Sequence, residues 1–177
     1  MKLGRSMLPL ALVLVLVLTS AAPLSLASDN QFPLAEHSGI YSSFLDTCTE
    51  LDVTINENSE IPEVVSNGDS VSVVYFPFDG AGFSIYYEES SLISLSVLLD
   101  LESEYAMSVI AEMAAALFLS NDPEMEIDTC LSIIDHLFTN VEFDETLGVE
   151  SSSYESDSAT YELITDSDLV SLYVYPA

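Results

Sequence analysis

After Arg5 the chain contains neither lysine nor arginine, and all 30 of its aspartates and glutamates lie beyond residue 27. Whatever folds here does so without a Lys or Arg side chain to pair with those carboxylates. Unpaired carboxylates are too costly to bury. They must occupy the surface, and cohesion must come from apolar packing. The supply is sufficient: 49% of residues are hydrophobic, including nine Tyr and eight Phe. A core can form, and the chain is not a disordered acidic tail.

The same absence excludes whole classes of function. Neutralising the phosphates of a nucleic acid requires Lys or Arg, so no nucleic acid is expected as a partner. Attachment to anionic lipid fails for the same reason. Lysine-based covalent chemistry and arginine-assisted phosphoryl transfer are equally ruled out after residue 5. Three pressures fit the composition. Trypsin-like proteases find no bond to cut. High salt or divalent cations relieve the self-repulsion of an acidic surface. A cationic protein is steered in by the field. General acidic drift is the plain alternative. Added salt or Ca²⁺ is expected to raise the melting temperature.

The first 27 residues read as a signal peptide. Lys2 and Arg5 form a positive n-region, Leu8 to Leu18 an apolar h-region, and Ser25-Leu26-Ala27 a small-residue cleavage site. Ser20-Ala21-Ala22 competes, but Pro23 would follow that cut. The apolar run is short for a bilayer span, so an uncleaved anchor is the lesser alternative and no membrane span is expected after cleavage. Cleavage after Ala27 leaves about 150 residues, the size of one domain. Both basic residues depart with the signal. Localisation is expected to be secreted, extracellular. Residues 28–36 look like a polar leader, and 37–177 like a single acidic α+β domain.

Along that domain, Ile40, Phe44, Cys48 and Leu51 fall at helical spacing between Glu36 and Leu51. Asp52 to Ile55 suggests a short strand. Val71, Val73 and Tyr75 alternate, as do Phe83, Ile85 and Tyr87, and then Ile93, Leu95, Val97 and Leu99. Asp79-Gly80-Ala81-Gly82 supplies a hairpin turn between the first two of these runs. An antiparallel meander of three to four strands follows. Glu102 to Ser120 predicts one deeply buried helix. Asp122 and Pro123 then fit the N-cap and first turn of another, which carries Ile127, Cys130, Leu131, Ile134, Leu137 and Phe138. Residues 144–158 suggest a loop or a ragged strand. Two strands around Asp166-Ser167-Asp168 close the chain. The fold expected is α+β, with helices packed on one face of an antiparallel sheet.

This order resembles small exported domains found in lipoproteins and secreted proteins of Gram-positive gut bacteria. The residues carrying the likeness are Ile93-Ser94-Leu95-Ser96-Val97, Asn121-Asp122-Pro123-Glu124, Tyr161-Glu162-Leu163 and Leu172-Tyr173-Val174. The resemblance implies fold and location, with no activity attached. Members of that class carry many lysines, and this chain departs from them there.

Candidate chemistry is sparse. Cys48 and Cys130, the two cysteines, lie on the apolar sides of separate helices. In an exported domain they form either a disulfide or two buried thiols. Each sits in an Asp-Thr-Cys tripeptide, but an aspartic-protease dyad needs its Asp on loops. His37 and His136 show no zinc spacing with Cys130. Asp166 and Asp168, and Glu155 and Asp157, are weak Ca²⁺ candidates that lack the EF-hand pattern. No other cofactor is expected, and no catalytic residue stands out. Tyr75, Phe76, Phe78, Phe83, Tyr86 and Tyr87 gather around one hairpin, as core or as contact surface. The function expected is a non-enzymatic interaction or surface-associated module, tolerant of trypsin-like proteases, whose partner is a cationic protein or divalent cations. A small carboxylate-dependent hydrolase and an acidic inhibitor of a secreted enzyme are the alternatives.

Overall fold

The computed structural model describes residues 34–177, apart from 58, 90, 146 and 147, with side chains from residue 37. The expected signal peptide and most of the polar leader lie outside the described residues. Helix α1 spans Leu34–Glu50, so it begins inside the stretch read as leader. Strands β1 (Glu63–Asn67), β2 (Ser70–Tyr75), β3 (Ala81–Glu88) and β4 (Ser91–Asp100) follow. Helices α2 (Glu104–Ser108), α3 (Ile110–Asn121) and α4 (Ile127–Thr139) come next. Strands β5 (Glu142–Asp144), β6 (Val149–Glu155), β7 (Ala159–Thr165) and β8 (Leu169–Pro176) complete the order.

All eight strands join in one antiparallel sheet, ordered β1-β2-β3-β4-β8-β7-β6-β5. Each half is a run of sequential hairpins, and the halves meet where β4 pairs with β8, Leu95 opposite Val174 and Leu99 opposite Val170. The order is palindromic: the last strand of each run lies at the centre and the first at an edge. The chain is mixed helix and strand, as its periodicities imply.

The register builds the core row by row. Val73, Ile85, Leu95, Val174 and Tyr161 stand opposite one another across five strands. Tyr75, Phe83, Val97, Leu172 and Leu163 form the next row on the same side. All ten are buried. Fully burying side chains of this size stabilises the fold by about 1.5–3 kcal/mol each. Helix α1 seats Tyr41 on Tyr75, with ring centroids 3.7 Å apart, and Phe44 on Phe83 at 4.4 Å. Phe118 of α3 meets Tyr161 edge-on at 4.7 Å. From β6, Ser152 donates a 2.5 Å hydrogen bond to the carbonyl of Leu137 in α4. Residues between these rows include Ser72, Ser84, Tyr86, Ser96, Ser171 and Tyr173, a mostly polar alternate face.

Local chemistry explains where several elements begin and end. Gly80 sits at φ 88 in the β2–β3 connection, and a Cβ there would meet the Ser103 Cβ at 2.8 Å, so only glycine fits. Ser103 caps α2 by accepting from the Ala106 amide. The helix expected from Glu102 to Ser120 is two: Val109, at φ −118, interrupts it. Alanine-rich α3 then runs on, buried from Met113 to Phe118. Asp122 does not start α4. Its backbone closes α3 onto the Phe118 carbonyl, and its side chain accepts from Glu124 in a turn. Glu126 is the N-cap residue of α4 and makes no side-chain capping bond.

Two strand expectations move. Asp52 to Ile55 forms no strand, and the first strand is Glu63–Asn67. The Ser-rich stretch read as loop or ragged strand contains β6 and the end of β5. In β4 a bulge opposite Tyr86/Tyr87 shifts the alternation, so Ile93 points out, 36% exposed, while Leu92 faces Tyr87.

Candidate interaction surface

The cysteines are placed first, because they decide whether covalent chemistry is at hand. Cys48 and Cys130 are both buried free thiols, not the two halves of a disulfide. Helix α3 separates their roles: it packs against α1 and also against α4. Cys48 turns its sulfur towards Met113 of α3, with Sγ to Sδ 3.9 Å. Burial pushes the Cys48 thiol up to about 12 and the Cys130 thiol up to about 11. Neither is a thiolate near neutral pH, so neither is a nucleophile.

The hairpin aromatics belong mostly to the core. Tyr75, Phe78, Phe83 and Tyr87 are buried, which removes them from any contact surface. Tyr75, Phe83 and Tyr87 point inward because their positions share the core-facing register, and Phe78, in the β2–β3 connection, packs on Tyr105 at 4.9 Å. Phe76 and Tyr86 are half-buried. Tyr86 lies on the alternate face, where its hydroxyl donates to Ser70 Oγ at 3.2 Å.

Of the calcium candidates, Asp166 serves as a turn former. Asp166 Oδ1 accepts from the amides of Asp168 at 2.8 Å and Leu169 at 2.9 Å, closing the β7–β8 hairpin. Between Glu155 and Asp157, Ser156 Oγ accepts from the amides of Ser158 and Ala159 in the same way for β6–β7. His37 is buried on α1 against Tyr87, and His136 sits on α4 against Tyr154. Among the described residues, no group of three or more His, Cys, Asp and Glu is gathered to hold a metal ion.

A half-open cleft of about 480 Å³ lies beside α1, lined by Ser38, Tyr41, Ser42, Leu45, Glu60 and Tyr75 among others. Among the described residues, Glu60 is the one carboxylate that lines it. Burial raises the Tyr41 phenol far above its ordinary value, and its hydroxyl faces Ser59 without a well-formed hydrogen bond. General acid–base hydrolysis by two carboxylates needs a second carboxylate across the cleft, and none of the described residues lining it supplies one.

The carboxylates take the remaining surface. Among the described residues no Asp or Glu is buried. On the alternate sheet face Glu162 accepts from the Tyr175 hydroxyl at 3.2 Å, and burial together with Glu162 pushes the Tyr175 phenol up to about 12. Large apolar side chains are exposed at Ile61 and Val64, before and within β1, at Ile93 of β4 and Tyr105 of α2, at Ile127, Leu131 and Phe138 of α4, and at Phe143 of β5. The sequence grouped Leu131 and Phe138 with the other apolar residues of one helical pattern; three-dimensional packing divides that group. The angular spread of the apolar residues around α4 was the signal that would have shown it. Comparison with protein families, curated proteins and solved structures gives no match. Among the described residues no helix is long and apolar enough to cross a membrane.

Proposed function

We propose that this protein is a secreted, non-enzymatic acidic module that captures a cationic partner through its surface field. The observation that supports it is the placement of charge: the described carboxylates stay at the surface, and no Lys or Arg follows residue 5 to compensate them. Such a field raises the local concentration of cationic ligands and speeds their association. The reading includes a layout with α1, α3 and α4 on one face of the sheet. The Ser- and Tyr-rich face around Tyr86 and Tyr173 then stays open. Tolerance of trypsin-like proteases follows from the same composition and suits an extracellular setting. The buried, protonated thiols and the single named carboxylate of the α1 cleft give catalysis no support.

The deciding experiment is capture of partners on the immobilised protein at low and at moderate salt, followed by mass spectrometry. A basic partner retained at low salt and released as ionic strength rises is the expected result. Finding no partner at any salt, or only partners indifferent to salt, overturns the proposal.

A further inference from the structure

Helix α4 carries more apolar surface than the core can use. Cys130, Ile133 and Leu137 face inward, each at most 2% exposed. A second stripe, Ile127, Leu131, Ile134 and Phe138, repeats at i, i+4, i+7 and i+11. Three of its members stay in water, at 50%, 52% and 39% exposed for Ile127, Leu131 and Phe138. That spacing is the d-a-d-a pattern of a coiled-coil seam. The stripe runs about 16 Å, three helical turns. Asp128 and Asp135, both exposed, fall at the e positions one heptad apart and flank the stripe. Phe143, 62% exposed, stands past the end of the helix on the core-facing side of β5, in register with Glu150 and Thr165. Ile134 is itself buried, at 8% exposed, so the stripe is seated on the core while three large apolar side chains on one helix stay in water, and a group of that kind on a soluble domain marks a contact site.

We infer that the α4 stripe docks an amphipathic helix of a partner protein whose own apolar seam is bordered by lysine or arginine. The inference rests on the cationic-partner reading and names its site and partner class. The seam geometry calls for a helix, because a and d side chains interdigitate only with a facing helix. The flanking aspartates call for bases at the partner's opposing positions. A second copy of this chain brings the same stripe with the same Asp128 and Asp135 and no base, so like charges would face each other across the seam.

A synthetic helical peptide of about three heptads, with Leu at a and d and Lys at e and g, is the probe. A companion peptide carries Glu in place of Lys. Binding to the folded protein is read by fluorescence anisotropy at two salt concentrations, with sedimentation in parallel. The Lys peptide binds and the Glu peptide does not. L131Q and F138Q each weaken the Lys peptide by about tenfold or more, the scale of an anchor residue. Asp128→Asn combined with Asp135→Asn weakens it by about threefold and flattens its salt dependence. These positions are exposed, and circular dichroism of each variant verifies the fold. Lys-peptide binding that responds to salt but ignores L131Q and F138Q overturns the stripe while leaving diffuse cation capture standing. Equal binding of both peptides overturns the basic partner. A dimer that L131Q dissociates assigns the stripe to a second copy and overturns the inference. Failure of the Lys peptide to bind also overturns it, whereas the capture experiment above judges the broader proposal on its own.

Discussion

Two helices of this molecule carry the same spacing and meet opposite fates. Helix α1 places His37, Tyr41, Phe44 and Cys48 at i, i+4, i+7 and i+11, and these are 3%, 2%, 0% and 0% exposed. Helix α4 places Ile127, Leu131, Ile134 and Phe138 at the same intervals and leaves most of that stripe in solvent. Each helix leads into four antiparallel strands, and the two runs of strands join at β4 and β8. The difference lies in what each helix has beside its stripe. Among the described residues of α1 the stripe supplies every fully buried side chain, with Ile40 and Leu45 packed partly buried beside it, and it faces Tyr75, Phe83 and Tyr87. In α4 a neighbouring set, Cys130, Ile133 and Leu137, already meets the core. Periodicity therefore reports that a helix has an apolar side; the breadth of that side decides whether some is left over.

The comparison breaks most easily at Phe44. Phe44→Ala is expected to cost about 3–5 kcal/mol, since it opens a cavity between Tyr41 and Phe83. Urea denaturation measures it, and a loss under about 1 kcal/mol would deny α1 its role as an anchor of the core.

Alkaline pH comes next. Burial raises the thiols of Cys48 and Cys130 from 9.0 to about 12 and about 11, and the phenol of Tyr175 from 10.0 to about 12. Groups with raised folded values favour the folded state fully below their unfolded values. That contribution is lost as pH climbs through the folded ones. The melting temperature should thus hold to about pH 9 and fall steeply towards about pH 12. Rapid alkylation of either thiol at about pH 9 while the protein stays folded would contradict the burial of Cys48 and Cys130.

Salt should act in the other direction and more gently. Screening an unpaired acidic surface raises the melting temperature by several degrees, with Ca²⁺ more effective per mole than Na⁺. A flat or falling response would show that self-repulsion is negligible.

The α4 stripe should barely register in stability. Leu131→Gln and Phe138→Gln are expected to change it by no more than about 0.5 kcal/mol. A loss comparable with that of Phe44→Ala would place the stripe in the core and erase the contrast. Smallest of all is the effect of reductant: with both thiols free, dithiothreitol leaves the melting temperature unchanged, and alkylation after unfolding adds two groups without prior reduction.

How much of this was legible in the sequence depends on the range of the signal. Strands β2 and β3, and the hairpin at Asp166 to Asp168, follow from alternation and turn chemistry that act over a few residues. Strand β1 did not, because it sits at the sheet edge, exposed on both faces, and no inward alternation was required of it. Residues 149–155 were hidden by serine, which fills a strand without marking a face. The break at Val109 lies within a run of good helix formers and is a packing decision. Pairing of β4 with β8 joins residues nearly eighty positions apart, Leu95 with Val174, and no local pattern encodes it. The contact candidates were misjudged for a related reason: aromatic density marked the β2–β3 hairpin, but register turned Tyr75, Phe83 and Tyr87 inward. The exposed stripe on α4 came from a helix that had seemed wholly explained by the core.

The palindromic strand order also dictates the sequence in which the sheet can be sealed. Hairpins from β1 through β4 zip up from neighbours in the chain, but β4 then waits with its outer hydrogen-bonding groups bare until β8 exists to cap them. During synthesis, that interval is when a nascent chain is most able to join another by its raw edge. Dense like charge repels a neighbouring copy over this same interval, which makes such an encounter rarer.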